Sequence, residues 1–332
     1  MTMATIDRPS RRASSASAST NSAAAQRLRA TFAAVRVNFT WFGTRKTLSA
    51  EQKVQAAEHF GAEGQYLSAA KKLLDNKHEA FQQVTAIRSQ IISFWKSLSL
   101  PYPEPGVRLI RQEDVERFNA RMTTFRQELA DAVLNLDEHF EQLKAAAADR
   151  LGRLYNPADY PLTLRGLFAV DFDFPSVEPP EYLLRLNPHL YQQERSRITA
   201  RFDEAVKLAE EAFVGEFSKL VSHLTERLTA DPGGERKVFR DSAITNLAVF
   251  FRRFRSLNVR SNADLDRLVE TAERILHGAD PNLVRNSSGL RDHITSQLSA
   301  VQSHLDQMLV DGPRRRILRN RSAAGGNGEA VS

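Results

Sequence analysis

The sequence predicts a mainly α-helical protein, an elongated antiparallel bundle of long, coiled-coil-like helices with a small two-stranded β element at its base. Three observations carry this. Apolar residues recur in steps of three and four over two stretches, near 115–154 and 188–228, each about forty residues long. Gly (15) and Pro (13) are scarce for 332 residues, which favours uninterrupted helix over turn-rich β structure. Two short segments, at 35–42 and 168–174, alternate apolar and polar residues as half-buried strands do.

In chain order, Val35, Val37, Phe39 and Trp41 alternate with Arg36, Asn38 and Thr40, and Gly43 closes this first strand. A helix capped by Ser49 follows, interrupted at Gly61 and Gly64. A longer helix is expected from about Gln65 to Ser97, with Leu74, Phe81, Val84, Ile91 and Trp95 near one stripe. Pro101-Tyr-Pro-Glu-Pro-Gly106 stops it, since three prolines cannot continue a helix. A short extended piece, 107–111, leads into the strongest periodicity of the chain. Val115, Phe118, Met122, Phe125, Leu129, Ala132 and Leu136 form one stripe, and Phe140, Leu143 and Ala147 continue it after one slip. Tyr155-Asn-Pro-Ala-Asp-Tyr-Pro161 breaks this helix before the second strand, where Phe168, Val170, Phe172 and Phe174 alternate with Ala169, Asp171 and Asp173. Asn187-Pro188 reads as an N-cap followed by proline at the first helical position. The helix it opens stops at Asp231-Pro-Gly-Gly234, and helices at 242–257, 263–276 and 288–310 start from caps at Asp241, Asn262 and Ser288. The strands at 35–42 and 168–174 fall at the same end of the predicted bundle and are expected to pair. A lone two-stranded ribbon is marginal, so the C-terminal helices are expected to cover it.

The net charge of +6 belongs to the ends. Residues 1–36 carry six arginines against one aspartate, and residues 311–332 five arginines against two acids, so 37–310 is slightly acidic. The first 33 residues, rich in Ser, Ala and Arg, read as a disordered basic arm, and 311–332 as a disordered Arg-rich tail. Between them lie a long-helix bundle at 34–235 and a C-terminal helical subdomain at 236–310. Arg11-Arg12 is not followed by an apolar stretch, and no apolar run is long enough for a membrane span, so a cytoplasmic protein is expected.

The residues exclude much chemistry. Zero Cys removes disulfides, thiol nucleophiles and Cys-ligated metals. No two of the eight histidines stand four apart, and neither His-Glu-x-x-His nor Glu-x-x-His occurs. Asp137, Glu138, His139 and Glu141 read as a solvated helix face, and Asp171 with Asp173 as the wet side of a strand. Phosphate loops, dinucleotide fingerprints and nucleophile elbows are missing. No catalytic, cofactor or metal residue is therefore assigned, and no cofactor is expected. The candidate partner-binding residues are basic: Arg252, Arg253 and Arg255 opposite the apolar stripe of Ile244, Leu247, Phe251 and Phe254, and Arg314, Arg315 and Arg316 in the tail.

Several stretches together resemble one bacterial and phage family, catalogued as domain of unknown function 3150. They are Val37-Asn-Phe-Thr-Trp-Phe-Gly43, Ser97-Leu-Ser-Leu-Pro-Tyr-Pro-Glu-Pro-Gly-Val-Arg-Leu-Ile110, Asp159-Tyr-Pro161 with the 168–174 strand, Phe239-Arg-Asp-Ser-Ala-Ile-Thr-Asn246 and Leu257-Asn-Val-Arg-Ser-Asn-Ala-Asp-Leu265. The resemblance covers about 37–310 and carries no functional residue. It implies an accessory role beside a MoxR-type AAA+ ATPase and a von Willebrand A-type protein. The expected function is a non-catalytic helical scaffold or adaptor that binds other proteins and can self-associate. The alternative is a nucleic-acid-binding protein that uses its Arg-rich terminal arms.

Overall fold

Helical structure is already present ahead of the boundary expected at residue 34. Residues 23–31 form helix α1, which buries Ala24, Ala25 and Leu28 and runs directly into strand β1 (Phe32–Trp41). This computed structural model describes residues 23–229 and 240–311. The expectations for 1–22, for the Asp231-Pro-Gly-Gly234 stop and for 312–332 lie outside the described residues.

The chain after β1 does not enter a single long helix. Strand β2 (Arg45–Thr47), helix α2 (Ala50–Glu58) and strand β3 (Ala70–Lys72) come first, and β3 pairs antiparallel with β2. Ser49 caps α2 as expected, in a capping box with Gln52. The expected helix from Gln65 fails because the chain folds back tightly at Gly64, where an added Cβ would sit 2.8 Å from the Val54 nitrogen. Helix α3 (Glu79–Ser97) therefore starts fourteen residues later than read, after a turn in which the Asp75 carboxylate accepts from the Lys77 N–H.

Strands β4 (Ser99–Pro101) and β5 (Val107–Arg111) form a hairpin, then helices α4 (Val115–Glu138) and α5 (Phe140–Leu151) follow. The slip in the apolar stripe marks a real break at His139. Strand β6 (Phe168–Asp173), the short helix α6 (Tyr182–Leu186) and helix α7 (Pro188–Leu228) come next. Asn187 caps α7 by accepting from the Leu190 N–H at 3.0 Å.

The expected pairing of the two alternating segments is present: β1 and β6 are antiparallel, with Val37 opposite Phe172 and Trp41 opposite Phe168. The sheet has four strands rather than two, in the order β4-β5-β1-β6, because β5 also pairs with the first half of β1. Strands of three and five residues are too short to display their alternation, and the Pro101–Gly106 stop doubles as the hairpin turn, with Gly106 at φ 77°. The cover also differs from expectation. Val35, Val37, Ile110, Phe168 and Val170 pack with Phe81, Val84 and Ile91 of α3 and Phe118, Met122 and Phe125 of α4. Those two helices flank the β4–β5 hairpin in sequence, so short connections deliver them to the sheet before any C-terminal helix can reach it. Ala34, Leu100 and Leu109, on the other face, are buried too. On that side of the unit Tyr102 packs on Phe202 at 5.7 Å, and Arg27 donates to the Val259 carbonyl at 2.7 Å.

The fold is mainly helical, with eleven helices and this small antiparallel sheet among the described residues. They divide into two compact units, 23–210 with 252–261 and 211–251 with 262–311. The second unit is all helix. It holds the C-terminal part of α7, the first part of α8 (Ser242–Leu257), then α9 (Ala263–Leu276), α10 (Pro281–Asn286) and α11 (Ser288–Asp311). Phe217 stacks on Phe250 at 5.0 Å, and Gln302 donates to Ser218 at 2.9 Å and Asp306 at 2.7 Å. Asn262 caps α9 as expected, whereas Ser287, not Ser288, accepts the capping bond of α11. The expected α8, α9 and α11 are found, whereas α10, like α1 and α6 of the first unit, was not expected from the sequence. No helix of the described residues is long and apolar enough to cross a membrane.

Candidate functional site

The basic residues singled out in the sequence do not form one cluster among the described residues. Arg252 and Arg255 are exposed on α8 and Arg253 is half-buried, opposite the buried Leu247, Phe250, Phe251 and Phe254. Arg253 and Arg255 have interaction partners of their own. Arg314, Arg315 and Arg316 lie outside the described residues. Three of the six N-terminal arginines are structural: Arg27 holds the Val259 carbonyl, Arg29 pairs with Glu178, and Arg36 pairs with Glu104 at 3.1 Å. Arg108 is a half-buried cation. It donates to the Ser99 hydroxyl and carbonyl, both at 2.7 Å, and burial together with the charge of Arg253 pushes it down to about 10.

The carboxylates that could suggest catalysis are tied into the fold. Asp171 is the exposed acid expected of a wet strand face, but it has a partner the sequence reading did not find. Arg126 reaches it at 2.8 Å, donates to the Val170 carbonyl at 3.1 Å and lies over the Phe172 ring. One guanidinium thus fastens α4 to edge strand β6. Asp137 is not on a solvated face. Burial works against its charge, yet bonds from the Leu164 N–H, the Thr163 hydroxyl and Arg165 hold its carboxyl below the ordinary value. His139, at the break between α4 and α5, bonds the Asn135 carbonyl, and its ring lies 5.3 Å from that of His78. Glu141 pairs with Lys144. No group of three or more metal-ligating side chains occurs among the described residues.

The most buried ion pair among the described residues was invisible in the sequence. Asp159, in the break after α5, accepts from Lys46 of β2 at 2.6 Å and contacts Lys71 of β3 at 2.5 Å. The side chains of Asp159 and Lys71 are only 2% and 6% exposed, and Lys71 also donates to the Leu154 carbonyl. Hydrogen bonds from Lys46 and then Lys71 hold the Asp159 carboxyl below its ordinary value. With one lysine against each oxygen and its side chain 2% exposed, Asp159 anchors the β2–β3 ribbon.

A different stretch has the character of a contact surface. Pro179 and Pro180 end the extended segment after β6, and α6 and the first turn of α7 follow. Here Tyr182 is 59% exposed, Leu184 49%, Leu186 76% and Leu190 38%. The first fully buried side chain of α7 is Ile198. Four large apolar side chains within nine residues thus stand in water, although the core of the same unit is well filled. Scattered apolar exposure is ordinary, whereas apolar groups gathered in one place mark interaction sites, and here four exposed ones fall within nine positions of the chain. The sequence reading passed over it because a five-residue helix between prolines shows no periodicity. Comparison with family models, curated proteins and solved structures finds no match to this chain.

Proposed function

We propose that this chain is a non-catalytic helical adaptor that docks another protein through its 182–190 surface. The observation that carries the reading is the exposure of Tyr182, Leu184, Leu186 and Leu190 together. The engagement of Asp137, Asp159 and Asp171 in ion pairs that hold the fold supports it, because those groups then have structural work. The resemblance of 37–310 to domain of unknown function 3150 adds the class of partner: a MoxR-type AAA+ ATPase, working with a von Willebrand A-type protein. In that arrangement the adaptor supplies contact, and the ATPase supplies the energy.

Burying one exposed leucine contributes roughly 1.5 kcal/mol or more, about tenfold in affinity. The test is co-purification of full-length chain with the MoxR-type ATPase of the same organism, using wild type and a Leu184→Ser/Leu186→Ser double variant. Retention by wild type and at least tenfold weaker binding by the variant, with unchanged helical circular dichroism, is the expected result. Equal retention by both, or by neither, contradicts the proposal.

A further inference from the structure

Away from the 182–190 surface, the first unit contains a cavity of about 610 Å³ between the segment that follows β3 and helix α5. That volume lies within the range of small-molecule sites, roughly 300–1,000 Å³. Its floor is apolar, made chiefly by Leu74, Leu143 and Ala147, whose remaining surface is buried in the core. Its rim is cationic: Lys72, Lys77 and Arg150 against the single carboxylate of Asp75.

The one acid on the rim is already committed. One Asp75 oxygen accepts from Arg150 at 2.6 Å and the other from the Lys77 N–H at 2.9 Å. These bonds tie α5 to the turn before α3 and fix the width of the cavity. Next to Lys72 in β3, Lys71 pairs with the buried side chain of Asp159, which anchors the strand. No carboxylate lies within ion-pair distance of the Lys72 or Lys77 ammonium among the described residues, although, with the hydrogen bond from Arg150, the Lys77 charge helps to hold the Asp75 carboxyl low. Lys72 also stands directly across the ribbon from Arg45, both exposed, and like charges opposite one another destabilise a strand pair. A bound anion would relieve that repulsion.

We propose that this cavity binds a small organic anion, a carboxylate or phosphate carried on a short apolar body. The acid meets Lys72 and Lys77 at the rim, and the apolar group rests on the floor of Leu74, Leu143 and Ala147. Neither part suffices alone: a bare anion leaves the floor wet, and a neutral apolar molecule leaves the lysines unpaired.

The test is titration calorimetry on the full chain with four probes: phenyl phosphate, inorganic phosphate, phenol and the acidic peptide Asp-Glu-Leu-Asp. Phenyl phosphate is expected to bind one to one, at least tenfold tighter than phosphate or phenol. A Lys72→Gln/Lys77→Gln variant should weaken it at least tenfold with its thermal midpoint preserved, because both side chains are exposed. Lys96→Gln, an exposed lysine on α3, should leave binding unchanged. Equal affinity in the Lys72/Lys77 variant, equal affinity for inorganic phosphate, or no phenyl phosphate binding at millimolar concentration would overturn the proposal. So would tighter binding of the peptide, which would make the ligand a polypeptide segment.

Discussion

Asp159 shows how much one side chain can hold. Replacing it by alanine leaves the Lys71 ammonium buried with only the Leu154 carbonyl, and the loss of a buried partner typically costs about 3 kcal/mol. Urea denaturation of Asp159→Ala should show a loss of that order. Lys46 is on the same carboxylate, but its side chain is 55% exposed, so Lys46→Ala should cost less than about 1 kcal/mol. The pH dependence follows from the direction of the shift. Asp159 and Asp137 titrate lower in the folded chain than the ordinary carboxyl at 3.8. Their contribution is therefore complete above that value and is lost as pH falls through it towards the folded pKa. Thermal midpoints measured from pH 7 to pH 3 should fall at the acid end, and Asp159→Asn should flatten that fall. Arg260 works the other way: at φ 53° it is a non-glycine residue in the left-handed region, and Arg260→Gly should raise stability by about 0.5 kcal/mol or more. None of this was legible in the sequence, because ion pairs between residues far apart in the chain leave no periodic trace.

At the scale of elements, apolar spacing was a reliable guide where a helix buries one long face. The stripes over α4, α7 and α8 recur as buried residues, including Phe118, Met122, Phe202 and Leu247. The caps at Ser49, Asn187 and Asn262 were legible for a local reason, since a cap needs only its own next turn. Spacing misled at 65–78, where apolar residues at helical intervals belong to a turn and a ribbon. Gly64→Ala separates the two possibilities. Were the segment helical, alanine would stabilise it. In the fold described here the new Cβ meets the Val54 backbone, and a loss of roughly 1–3 kcal/mol is expected by thermal denaturation. The four-stranded sheet was only half legible, because β4 and β5 are recruited by pairing with β1 rather than by patterns of their own.

At the scale of the whole molecule, charge and apolar exposure point to different partners. The positive balance resides in the terminal segments, and Arg27, Arg29 and Arg36 are already engaged within the first unit. If the nucleic-acid reading holds, a salt-dependent mobility shift should depend on residues 1–22 and 312–332, and a chain spanning 23–311 should lack it. The adaptor reading needs no such dependence. The contact residues it uses were hidden in the sequence by their setting, a short helix among prolines, and emerged only from what the fold leaves uncovered. Hydrogen exchange of the full chain, with and without the MoxR-type ATPase, addresses the proposed contact most directly. Slowed exchange centred on 182–190 when the ATPase is present is the expected result. Unchanged exchange there, with protection confined to other segments or absent altogether, would contradict it.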